Sequence, residues 1–257
     1  MTDRSNIFRD DLLAGRNVFL AGATSGINLE IAQRMAGLGA TVGVISRDPA
    51  KVEAAVASLG PRASGWSVDV RNYEDVAAAI DAFAGKNGAI DGVVSGAAGN
   101  FLADAAKLSP KGFRTVIDID LIGSFHVAHA AYPHLRRPGA TVLFISALQS
   151  FVAYPQQVHA CAAKAGIDSM MRALALEWGA EGVRVNSILP GPIAGTEGMA
   201  RLSPDAESTK RTTDAIPLGA YGLKADIADL SVFLMSDAGA NITGASIVSD
   251  GGSSLSR

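Results

Sequence analysis

Short apolar runs that do not alternate with polar residues, each followed by an amphipathic stretch, recur along this chain and constrain its fold more than any other feature. Seven such runs, at 17–23, 41–46, 65–70, 91–96, 140–146, 183–189 and 245–249, read as strands. Residues 25–38, 49–59, 73–84, 110–136, 156–178 and 224–235 read as the helices between them, Pro49 suiting a first turn and Pro138 with Gly139 ending the long fourth one. A strand apolar on both faces must be covered on both faces. The expectation is an α/β fold, a single doubly wound Rossmann domain with a seven-stranded parallel sheet and helices on both sides. One such domain accounts for residues 1–257, with no composition break to mark a linker. The one long irregular stretch, 190–221, is expected to form a lid or binding segment.

Composition removes several functional classes. With 48% hydrophobic and 18% charged residues the chain is not disordered, and a net charge of -3 gives no basic surface for nucleic acid. Cys161 is the only cysteine, which excludes an intrachain disulfide and a multi-cysteine metal site and fits a reducing compartment. His126, His129, His134 and His159 fall in no recognised metal-binding motif, so no metal is expected. The amino terminus does not read as a signal or transit peptide, nor the carboxyl terminus as a peroxisomal address. No apolar run approaches the roughly 20 residues of a membrane span. The expectation is a soluble cytoplasmic protein.

Ligands of such sheets bind beyond the carboxyl ends of the strands. After the first strand come Gly22, Ala23, Thr24, Ser25, Gly26, Ile27 and Asn28, a G-x-x-x-G-x-N spacing. A glycine-rich turn alone often serves packing, but one that follows a first strand and opens a helix suits a dinucleotide, whose phosphates meet backbone N–H groups. After the second strand, Ser46 and Arg47 supply no acid for a ribose 2′-hydroxyl, and Asp48 is one position late. Arginine suits a 2′-phosphate instead, so NADPH is expected over NADH, the alternative for Arg47 being a solvated surface residue. Asp69 and Val70 are expected to end the third strand near the adenine. Gly96, Ala97, Ala98 and Gly99, ending the fourth, are small enough for a flat ring or a ribose to approach the backbone.

The turn at 22–27, Asp69 with Val70, Ala97-Ala98-Gly99, Lys164 in its helix and Pro190-Gly191-Pro192 together resemble the short-chain dehydrogenase/reductase superfamily over nearly the whole chain. Longer strings are similar to the peroxisomal type of 2,4-dienoyl-CoA reductase: 97–101, 118–120, 157–160, 191–198, and Ile7, Phe8, Asp11, Leu12 and Leu13 near the start. The resemblance implies a cofactor-binding set of Gly22, Thr24, Ser25, Gly26, Ile27, Ser46, Arg47, Asp69, Val70, Ala97, Ala98, Gly99, Lys164, Pro190, Gly191 and Ile193. Most of the superfamily uses Asn, Ser, Tyr and Lys. Here the tyrosine position, four before Lys164, is Ala160, the serine position is Ala147, and the asparagine position is Asp120. A phenol serves to move a proton on a substrate oxygen, so ordinary alcohol dehydrogenase activity is not expected.

The resemblance instead implies reduction of a 2,4-dienoyl-CoA thioester in unsaturated fatty acid degradation. Lys164 holds the nicotinamide ribose and adds positive charge, while Asp120, directly or through water, supplies the proton. The alternative for Asp120 is a buried carboxylate satisfying a helix kink. His159 reads as a helix-face residue, Tyr154 as a weaker candidate acid, and Cys161 as a packing residue. For the substrate, Phe101 is expected along the acyl chain and Arg71 and Arg201 at coenzyme A phosphates, with 195–201 forming part of the lid. Trp66, Met199 and Tyr221 have no role assigned, and Met170 and Met171 read as core. The two long helices, apolar beyond one stripe, need a second partner and predict a homotetramer. Open alternatives are reduction of another enoyl-CoA or of a carbonyl, and a non-catalytic NADP(H)-binding protein. Asn28, where the glycine turn ordinarily has its last glycine, leaves cofactor affinity open.

Overall fold

The computed structural model describes residues 7–203 and 205–256, so the expectations about the termini rest partly on residues outside it. Among the described residues, seven parallel strands form one sheet in the order β3-β2-β1-β4-β5-β6-β7: β1 Asn17–Ala21, β2 Thr41–Ser46, β3 Ala63–Ser67, β4 Gly92–Ser95, β5 Thr141–Ile145, β6 Arg184–Pro190 and β7 Ser246–Ser249. The helices are α1 Gly26–Gly37, α2 Pro49–Leu59, α3 Tyr73–Asn87, α4 Pro110–Val116, α5 Gly123–Ala131, α6 Val158–Trp178, α7 Glu197–Leu202, α8 Ala206–Asp214 and α9 Lys224–Met235. This is the doubly wound Rossmann fold that the strand pattern predicts. One face buries Phe19, Phe83, Phe144, Ile167 and Met171 under α3, α5 and α6. The other buries Leu20, Ile31, Met35, Ile227 and Val232 under α1 and α9. Trp66 is part of the first core, packed on Phe19 and Phe83, and Met171 is fully buried with Met170 packed beside it.

Three expectations change. The third strand ends at Ser67, so Asp69 and Val70 lie in the turn beyond it. Val68 still donates to the Ser46 carbonyl at 2.9 Å, but the chain then closes a turn in which Asn72 donates to Asp69. The apolar Val68 and Val70 imitate strand residues because they are buried from a loop. The long fourth helix is broken by one turn of π-helix, Ile117–Ile122, between α4 and α5. The stretch 190–221 is not wholly irregular, because it carries α7 and α8. Thr196 caps α7, accepting from the Met199 N–H at 3.3 Å, and Asp205 and Ser208 form a reciprocal capping box on α8. Local capping supports α8, whose sequence has no apolar stripe to announce a helix.

Gly43 in β2 lies beneath this aromatic cluster, where an added Cβ would stand 2.7 Å from Phe83 and 2.8 Å from Phe19. Gly43→Ala is expected to destabilise the protein by about 1–3 kcal/mol, read as a lower urea midpoint at unchanged m.

Candidate active site

The turns after β1 and β4 lie against each other, at the point where the strand order reverses. Gly22 has φ +73, and a Cβ on it would stand 2.6 Å from the Ala97 Cα. Asn28 adds a tie between the two turns. Its Nδ2 donates to the Gly96 carbonyl at 2.7 Å and to the Gly22 carbonyl at 3.4 Å. The departure that leaves affinity open in the sequence is thus a brace, visible only once β1 and β4 are adjacent.

A cavity of about 310 Å³ runs along these turns, bordered by Gly22, Thr24, Ser25, Ser46, Arg47, Asp69, Val70, Ala97 and Ala98. Ser25 precedes α1 without a side-chain cap, so the orphan N–H groups of the first turn have no side-chain acceptor there. An uncapped helix end, glycine backbone at close approach and a cationic far end fit a dinucleotide with an additional phosphate. At that far end Asp48 is committed to α2, accepting from the N–H groups of Ala50 and Lys51 at 3.0 and 3.3 Å. Lys51, which the sequence did not single out, borders the cavity with Arg47. Arg71, expected at a coenzyme A phosphate, forks onto Asp69, with Nη2 at 2.6 Å and Nε at 3.0 Å. That hydrogen bond, opposed by burial and helped by charge, holds the Asp69 carboxyl below its usual range.

A second chamber of about 520 Å³ continues past the turn, bordered by Gly26, Ile27, Ser146, Ala147, Ala160, Pro190, Gly191 and Ile193. Asp120 and Lys164 stand in its wall, Asp120 only 1% exposed and Lys164 8%. The π-turn carries Asp120, whose Oδ1 accepts from the Gly99 N–H at 2.7 Å and whose Oδ2 lies 3.3 Å from the Lys164 ammonium. Lys164 also donates to the Ile145 carbonyl at 3.3 Å. The Asp120 carboxylate therefore binds across the chamber rather than mending its own helix, and Ala147 and Ala160 leave the wall without a hydroxyl at either position.

Other candidates take different positions. His159 is fully buried. Its Nε2 lies 2.9 Å from the Phe101 carbonyl and its ring stacks on Phe101 at 4.5 Å, so it anchors the loop after β4. Phe101 does not line either chamber. Arg201, also expected at a phosphate, donates to the Asn100 carbonyl at 3.2 Å and pairs with Glu197, which ties α7 to that loop. Tyr154 borders an adjoining cavity of about 250 Å³, which shares Met199 with the second chamber. Cys161 is a half-buried free thiol, and the Tyr221 hydroxyl is buried without a hydrogen bond among the described residues.

Residues 22–254 match the family described as enoyl-(acyl carrier protein) reductase, and the chain belongs to the short-chain dehydrogenase/reductase family of oxidoreductases, whose cofactor is a nicotinamide dinucleotide. Among curated relatives, it is 40% identical to an Arabidopsis thaliana protein named peroxisomal 2,4-dienoyl-CoA reductase [(3E)-enoyl-CoA-producing], over 97% of this chain and 88% of the relative. It is 38% identical to a Saccharomyces cerevisiae protein of the same description, over 95% and 86%. A solved short-chain dehydrogenase from Bacillus anthracis superimposes with a TM-score of 0.87 at 34% identity, covering 94% of this chain and 97% of the other.

Asn28→Ala removes the brace between the two turns, a hydrogen bond of about 0.5–1.5 kcal/mol. The dissociation constant for the reduced nicotinamide, measured by its fluorescence, is expected to rise roughly 3- to 10-fold with the fold intact.

Proposed function

We propose that this protein is an NADPH-dependent reductase of 2,4-dienoyl-CoA thioesters. The observation that carries the reading is a buried carboxylate–ammonium pair in a chamber wall that has alanine at both hydroxyl positions. The names of the relatives support the substrate class. In this reading the dinucleotide lies along the turns of β1 and β4, held by 22–27, Arg47 and Lys51, and when bound in reduced form it supplies a hydride to the far end of the conjugated system. Lys164 holds the ribose hydroxyls and keeps a positive charge beside the electron-rich thioester system. Of its three N–H donors two are engaged, by Asp120 and Ile145, which leaves one for a ligand. Asp120, a carboxylate in this pair, takes up a proton from water and relays it to the carbon that must be quenched. A ketone reductase needs a donor to oxygen where Ala147 and Ala160 stand, and a non-catalytic binder needs no buried acid.

Asp120→Asn preserves the hydrogen bond from Gly99 and removes the acid. It is expected to lower kcat for dienoyl-CoA-dependent NADPH oxidation by about 10²-fold or more, with NADPH binding retained. Wild-type turnover in this variant would end the assignment. NADPH is expected to raise the melting temperature at a concentration where NADH leaves it unchanged, and Arg47→Ala with Lys51→Ala to abolish that difference.

The reading includes a homotetramer. Ile122, Phe125 and Leu176, on the π-turn, α5 and α6, are 39%, 42% and 85% exposed, apolar side chains on the two helices expected to meet a second copy. Light scattering at micromolar concentration is expected to give four times the chain mass, and a monomer would contradict it. A reducing compartment, the cytoplasm, suits the unbridged Cys161.

A further inference from the structure

Three side-chain amides meet where the second chamber joins the cavity beside Tyr154. Gln157 is 2% exposed, and its Oε1 accepts from the Asn100 Nδ2 at 2.8 Å and from the Gln149 Nε2 at 3.1 Å. Two donors fill both lone pairs of that oxygen and fix which way the carboxamide faces. The Gln157 Nε2 keeps both hydrogens, with no acceptor among the described residues, in the wall of a cavity of about 250 Å³. Gln149, Pro190, Gly191 and Met199 border both this cavity and the chamber of Asp120 and Lys164, so the two adjoin.

The backbone supports a functional reason for this placement. Gln156, immediately before, has φ +64, the one positive value outside glycine among the described residues. Its carbonyl accepts from Ala103 at 3.0 Å and its Nε2 donates to Asp104 at 2.9 Å, so the strained residue is held from the loop after β4. Strain held in place by its surroundings concentrates at sites where it aims a group, here the neighbouring Gln157.

We propose that the Gln157 Nε2 donates a hydrogen bond to the thioester carbonyl oxygen of the bound acyl-CoA. This rests on the functional reading above. Addition of hydride to a conjugated thioester pushes negative charge onto that oxygen, and with Ala147 and Ala160 in the wall no hydroxyl at those positions can receive it. A carboxamide held by two neighbours is a preorganised neutral donor to developing charge. Asn100 and Gln149 act as positioning residues through the Gln157 oxygen.

The test uses the full chain with NADP+, which supplies no hydride, and a short 2,4-dienoyl-CoA, whose ultraviolet band moves to longer wavelength when its carbonyl accepts a hydrogen bond. Gln157→Glu keeps the accepting oxygen, and so both amide contacts, but at pH 8 has no N–H to give. Gln157→Leu removes both. The wild type and Tyr154→Phe are expected to shift the band of bound substrate, and both Gln157 variants to bind substrate without the shift. In turnover the Gln157 variants are expected to lose about 10²-fold in kcat while the dissociation constant for NADPH stays within twofold. A band shift and kcat in Gln157→Glu within threefold of wild type would overturn the proposal, as would loss of the shift in Tyr154→Phe alone. Absence of saturable dienoyl-CoA binding to the wild type would instead overturn the substrate assignment beneath it.

Discussion

Backbone contact between the turns after β1 and β4 is the constraint on which the site depends. Gly22 lies so close to Ala97 that no Cβ fits between them, and Asn28 ties both turns from the start of α1. The close contact follows from the topology: β1 and β4 are neighbours in the sheet, while their following segments leave in different directions. A parallel sheet opens a crevice there, and small residues on both lips make it shallow enough for backbone to meet a ligand. Arg47, Lys51, Asp120 and Lys164 are all placed relative to that crevice by the strands and helices on either side.

The Asp120–Lys164 pair is best understood by what it does not contribute. A buried ion pair is weak grounds for stability, because well-packed apolar residues in its place are often neutral or better, whereas removing one partner alone is costly. The surrounding structure nevertheless satisfies it with care: the Gly99 N–H on one carboxylate oxygen, the ammonium on the other, and the Ile145 carbonyl on the lysine. The π-turn belongs to the same arrangement. A straight helix from 110 to 136 would serve packing alone, and the extra residue in the turn carries the carboxylate to the end of β4.

Much of this was legible in the sequence because the sheet is covered on both faces and its strands are continuous apolar runs. The glycine turn was legible because it follows a strand and opens a helix, and Lys164 with the three departures at 120, 147 and 160 because the resemblance to the short-chain dehydrogenase/reductase pattern marks those positions. What escaped depends on contacts between distant segments. Lys51 reads as an ordinary surface lysine until Asp48 is seen to spend its carboxylate on α2. Arg71 reads as a free cation until Asp69 is seen to hold it. Helix α8 escaped for a different reason: it has capping chemistry but almost no apolar residues, so it shows no apolar stripe.

The segment between Ile193 and Gly222 is held more firmly at its base than at its outer side. At its base the Ala194 N–H donates to the Gly222 carbonyl and the Gly222 N–H to the Pro192 carbonyl, both at 2.9 Å, above a fully buried Ile193. At its outer side Arg201, 63% exposed, holds the Asn100 carbonyl through one hydrogen bond at 3.2 Å. A solvent-reached bond of that kind contributes about 1 kcal/mol, far less than opening the core beneath. The contact of α7 with the loop after β4 is therefore the weakest tie described in this wall of the chamber. Asp120, Lys164 and the crevice between the two turns take none of their hydrogen bonds from this segment.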